Sequence, residues 1–161
     1  MDPISFLSPL RTLVRQVRLG GSAPARHPEA EAPLALPRRI DGPAAAAQLA
    51  GDLLRHHRED ITLAIYLDER HRLVGTAMVA VGWAQAARLS ASPVLAGALA
   101  CRATSCVIIR FRRWGALSAT EPEHRSFDAL AAACSRSGLP VVDHLVVVRD
   151  RSFWTGCHLD R

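Results

Sequence analysis

From about residue 41 onward the apolar positions switch between a helical stripe near every third or fourth residue and short unbroken runs. Asp41 or Gly42 can cap a helix with Pro43 at its first position. Residues 44–57 continue that helix, turning Leu49, Leu53 and Leu54 to one side. Ile61–Leu67 is apolar and rich in β-branched residues. The polar turn Asp68-Glu69-Arg70-His71-Arg72 and the run Leu73–Val81 follow, which predicts a β-hairpin. A helix is expected over 93–103 and a strand buried on both faces over 106–111. The polar stretch 113–122 leads into a helix over 123–136, which Gly138-Leu139-Pro140 stops. Val141–Val148 is the last strong strand, and Phe153 with Trp154 adds a short one. The order α-β-β-α-β-α-β predicts an α/β (α+β) sandwich, a mixed sheet flanked by helices.

Ahead of this region the pattern changes. Residues 1–19 place Phe6, Leu10, Leu13 and Val17 on one stripe and Arg11, Arg15 and Arg18 toward the other side, a short basic amphipathic helix. Its expected role is to pack on the domain or on a second copy of the chain; docking to a membrane surface or a partner is the alternative. Residues 20–43 carry Pro24, Pro28, Pro33, Pro37 and Pro43 among Gly and Ala, and read as a semi-extended linker. The globular domain is expected over 44–161.

At 161 residues, 49% of them apolar, the chain can bury a core of its own. Its net charge of +5 comes entirely from arginine, since there is no lysine. With 27 alanines alongside, a GC-rich genome accounts for that bias, so charge alone carries little weight for nucleic acid. Cys101, Cys106, Cys134 and Cys157 form no C-x-x-C pair and read as reduced. Arginines interrupt the apolar run a secretory signal needs, and no stretch of about 18 uncharged apolar residues occurs, so the expectation is a cytoplasmic protein.

The run Ile65-Tyr66-Leu67-Asp68-Glu69-Arg70-His71-Arg72-Leu73-Val74 resembles the LD-x-x-x-R-L hairpin of RadC-like JAB/MPN (JAMM) domains. Gly138-Leu139-Pro140-Val141-Val142-Asp143-His144-Leu145 is similar to that family's G-I-P-x-x-D-H strand entry. The resemblance covers about residues 41 to 155 and implies a JAB/MPN fold of cytidine-deaminase-like architecture. In active members the central strand ends in H-x-H-P-S-G, and an acidic residue at the start of the next helix completes a zinc site. Two histidines at alternate strand positions reach one ion, a carboxylate is third ligand and water the fourth. An upstream glutamate acts as base on that water, the arrangement for amide hydrolysis.

Aligned on Gly115, the two histidine positions hold Arg110 and Arg112, and the Pro and Ser positions hold Arg113 and Trp114. Counted back from Gly138, the acidic position holds Glu123, and Leu73–Val81 supplies no upstream acid. A guanidinium has no lone pair to give a metal. A divalent ion roughly 5 Å from one such charge meets about 6 to 7 kcal/mol of repulsion at an effective dielectric near 20. The expectation is therefore a pseudoenzyme that has lost zinc, with no catalytic residue and no cofactor. Elsewhere His56-His57, His124, Asp143-His144 and Cys157-His158 lack metal-site spacing, and no G-x-S-x-G elbow is present. Asp143 and His144 read as structural residues at a strand entry beside the old site.

Arg110, Phe111, Arg112, Arg113 and Trp114 set three cations and two aromatics at the mouth of that site. Neutralisation by Glu121, Glu123 and Asp128 in a local ion-pair cluster ranks first, docking of a protein partner second, and nucleotide or nucleic-acid binding third. Three functions follow in the same spirit: a binding or scaffold module that takes a protein partner or a second copy, a nucleic-acid binder of the kind the family's link with DNA repair suggests, and a zinc hydrolase with a rearranged site.

Overall fold

The computed structural model of the chain describes residues 38–82, 88–149 and 153–156. The amphipathic helix expected over 1–19, most of the expected linker, Cys157 and His158 lie outside the described residues. The elements are α1 (Pro43–Leu54), β1 (Ile61–Leu67), β2 (Leu73–Val81), α2 (Ala91–Cys101), β3 (Ser105–Arg112), α3 (Glu121–Arg136), β4 (Val141–Val148) and β5 (Phe153–Thr155). They build one five-stranded sheet in the order β2-β1-β3-β4-β5. It is mixed, as expected: β1 runs antiparallel to both β2 and β3, β3 and β4 are parallel, and β5 returns antiparallel to β4.

Strand alternation divides the core in two. Ile61, Leu63, Ile65 and Leu67 of β1 join Val107, Ile109 and Phe111 of β3 beneath α1. Ala64 and Tyr66 join Cys106 and Ile108 beneath α2 and α3, where Val94, Ala98, Phe127 and Leu130 meet them. The result is a three-layer sandwich, with one helix on one face and two on the other. Both β1 and β3 are buried along their whole length, which is why they read as continuous apolar runs.

Boundaries shift where caps decide them. α2 starts two residues earlier than its pattern predicts because Ser90 caps it, its Oγ accepting from Ser92 N. α3 starts at Glu121, since Thr120 takes the cap position and Pro122 falls in the first turn, where an amide donor is dispensable. The end of the stretch read as linker is part of the fold. Ile40 is buried in the α1-side core, and Arg39 bridges Arg72.

Candidate functional site

The even positions of β3 face α2 and α3, so Arg110 and Arg112 follow Cys106 and Ile108 into that layer. Thr62 of β1 stands opposite Arg110 in register, and Asp60 immediately precedes β1. From above, the first turn of α3 brings Thr120 and Glu123. Arg110 is fully buried, the largest side chain so enclosed. Its Nη2 donates to Asp60 Oδ2 at 3.2 Å, and its Nη1 reaches Thr62 Oγ1 and Gly82 O, each at 3.5 Å. Arg112 Nη2 donates to Glu123 Oε2, while its Nη1 donates to Ala116 O at 2.5 Å and Ser118 O at 3.1 Å.

Glu123 is the hub of this cluster. Its Oε2 accepts from Arg112 and also from Thr120 N and Thr120 Oγ1, both at 2.8 Å, so the capping carboxylate of α3 is also the counter-ion of β3. Its Oε1 has no hydrogen-bond partner and sits 3.6 Å from Arg110 Nε, which has none either. Two guanidiniums thus face two carboxylates and the cluster is neutral. Burial pushes the Glu123 carboxyl up, but the Arg112 hydrogen bond, the two from Thr120 and the Arg112 charge outweigh it and hold the group below the ordinary glutamate range. Burial lowers the Arg110 guanidinium, against the pull of Asp60 and Glu123.

The five residues of the basic and aromatic run do not share one surface. Phe111 points to the opposite face and packs in the α1-side core. Arg110 and Arg112 are turned inward. Only the loop after β3 opens to solvent: Trp114 is 69% exposed, with the Arg113 guanidinium 4.4 Å above its ring. Arg113 N also donates to Asp60 Oδ1 at 3.2 Å. Of the expected neutralising acids, Glu123 does pair with the arginines. Glu121 instead bridges Arg125 on the exposed face of α3. Asp60 replaces it, from 50 residues upstream of Arg110.

Asp143 and His144 lie on β4 outside this cluster. His144 is buried, stacked on Phe127 at 4.6 Å and edge-on to His124 at 6.0 Å. Gly156 crosses so close that any Cβ there would enter the imidazole, which fixes that position as glycine. Asp143 lines a cleft of about 350 Å³ on the α1 side with Ile40, Leu67, Val107 and Val142.

Sequence reasoning missed Asp60 and Thr120. Thr120 had a signal, the T-x-x-E spacing of a capping box. Asp60 had none. Cys101, Cys106 and Cys134 form no disulfide with one another, and burial pushes the Cys106 thiol up to about 12.

The donor set does not fit the zinc ion that the family resemblance implies. Zinc takes deprotonated N, S or O donors. Here two of the four side chains are guanidiniums, and the Glu123 Oε2 lone pairs are already engaged by three donors. Among the described residues no three His, Cys, Asp or Glu come together closely enough to hold a metal.

The comparisons agree with the motif reading. The profile of the RadC-like JAB domain family matches residues 40–155. A UPF0758 protein of Acaryochloris marina is 28% identical over 130 residues, covering 75% of this chain and 53% of that protein. A UPF0758 protein of Pseudomonas fluorescens is 25% identical over 138 residues, covering 79% of this chain and 62% of that protein. The chain therefore spans little more than half the length of these relatives. No described helix is long and apolar enough to cross a membrane. With its hairpin, its strand entry and the profile all meeting on one sheet, the chain belongs to the RadC-like JAB domain family.

Proposed function

We propose that this chain is a catalytically silent RadC-like JAB domain that works by binding, a scaffold or regulatory module. The observation that carries this reading is the capture of the Glu123 carboxylate by Arg112 and Thr120 inside a neutral, buried ion cluster. A carboxylate so engaged, between two cations that repel a metal, is not free to serve as the third zinc ligand, and without the ion there is no bound water to activate. The binding surface in this reading is the rim of the same site. Trp114 and Leu117 are exposed there, and the stacked Arg113 adds the mixture common at protein-interface hot spots. That the described cysteines form no disulfide with one another supports a reducing, cytoplasmic setting.

The nucleic-acid reading has no observation in its favour, because two of the three cations it needs are spent inward. Elemental analysis of the purified protein, with a peptide and isopeptide hydrolysis assay, tests the central claim. The expected outcome is zinc far below one ion per chain and no turnover. Stoichiometric zinc with turnover that Glu123→Ala abolishes would overturn it. Light scattering after size-exclusion chromatography tests the binding half: a strictly monomeric protein with no copurifying partner would count against the scaffold role.

A further inference from the structure

Residues 113–119 join β3 to α3 and carry the two exposed apolar side chains of the proposed binding rim, Trp114 and Leu117. Other turns of this fold close on their own backbone. Between β1 and β2, His71 N donates to Asp68 O and Asp68 N to Arg72 O, both at 3.0 Å. The ends of α2 and α3 do the same, Ala103 N donating to Ala98 O at 2.9 Å and Leu139 N to Cys134 O at 3.0 Å. Among the described residues, by contrast, no backbone-to-backbone hydrogen bond begins or ends on residues 113–119. Gly115 also turns at φ +105°, a region other residues enter only under strain, so the loop has a defined path without a ladder to keep it there.

What keeps it there is the buried ion cluster. At the start of the loop, Asp60 Oδ1 accepts from Arg113 N at 3.2 Å, while the other oxygen of the same carboxylate accepts from Arg110. In the middle, Arg112 Nη1 donates to Ala116 O at 2.5 Å and to Ser118 O at 3.1 Å. At the end, Glu123 Oε2 accepts from Thr120 N at 2.8 Å. Residues 113, 116, 118 and 120 are thus tethered inward. Trp114 and Leu117, which lie between the tethers, are 69% and 36% exposed. Arg112 is the part that joins the two halves, because Nη2 is on Glu123 and both hydrogens of Nη1 go to the loop carbonyls. A lysine brings the same charge on a single nitrogen and lacks that fork.

We propose that Arg112 is a positioning residue for recognition: it clamps the 113–119 loop onto the buried cluster in the shape that presents Trp114 and Leu117 to a partner. This inference rests on the binding role proposed above. A loop already ordered gives up less freedom when it docks, so the clamp favours association without touching the partner.

Nitrogen-15 relaxation of the full chain tests the clamp. In the unmodified protein the backbone order parameters of residues 114–118 should stand near the rigid value of about 0.85, and in Arg112→Lys they should fall below about 0.6 while those of β1 stay unchanged. Trypsin gives a second reading. Cleavage after Arg113 should become at least about tenfold faster in Arg112→Lys, with no change after Arg72 at the far end of the sheet; a general loss of stability would speed both. Low order at residues 114–118 in the unmodified protein overturns the proposal, and that outcome needs no variant to fold. So does a folded Arg112→Lys whose loop stays rigid, or cleavage that rises equally at both sites. Neither readout involves a partner, so the two ideas fail separately. A loop that stays rigid in Arg112→Lys removes the clamp and leaves the binding role, whereas a clamped loop on a protein that associates with nothing removes the binding role.

Discussion

Glu123 holds together groups that three parts of the chain supply, and its removal leaves two guanidiniums buried against a single carboxylate. Glu123→Gln is expected to cost about 3 to 5 kcal/mol, read as a lower urea midpoint, because breaking a buried pair strands a charge. Replacing Arg110, Arg112 and Glu123 together by apolar residues of similar volume should cost far less. The acid limb follows from the lowered carboxyl. Its ionised form favours the fold above the ordinary glutamate value of about 4.3, and that contribution is lost as pH falls through the lower folded value. Stability measured against pH should therefore drop below about pH 4, and Glu123→Gln should lack that part of the drop. The Arg112 to Glu123 pairing was legible in the sequence, since both residues stand in one aligned motif. Glu121 was misread because two residues along a helix turn a side chain about 200° away, so Glu121 and Glu123 cannot both face the sheet. Asp60 was illegible because only the antiparallel register of β1 and β3 brings it to Arg110.

At the scale of elements, the start of α3 and the seat of α2 are the sensitive places. Thr120→Ala removes a cap and one donor to Glu123 together, and thermal melting should report about 1 kcal/mol or somewhat more. α2 lies directly on Tyr66, whose hydroxyl donates to Val94 O at 2.9 Å. A Cβ built at Gly97 would stand 2.7 Å from Tyr66 Cζ. Gly97→Ala must lift the helix or turn the ring, at an expected cost of about 1 to 3 kcal/mol despite the better helix propensity of alanine. Helix and strand types were readable throughout the described residues because their apolar periods are strong. Ends were less so, because Ser90 and Thr120 set them through hydrogen bonds that hydrophobicity does not register.

For the whole molecule, the two aromatics of the basic run separate folding from recognition. Phe111→Ala opens the α1-side core and should cost about 3 to 5 kcal/mol. Trp114→Ala changes an exposed side chain and should leave stability within about 0.5 kcal/mol, while removing any association that light scattering detects. The sequence suggested that both residues belong to one patch. Strand alternation turns Phe111 into the α1-side core, whereas Trp114 falls in the loop after β3, and only the fold shows how far each reaches solvent.

The depth of the Arg110 cluster governs its response to ionic strength. Mobile ions screen exposed pairs such as Arg39 with Asp41, and the screening length shrinks from about 10 Å at 0.1 M salt to about 3 Å at 1 M. Counter-ions do not reach charges enclosed between sheet and helix, so brine strong enough to dissolve surface attractions should leave this clasp shut.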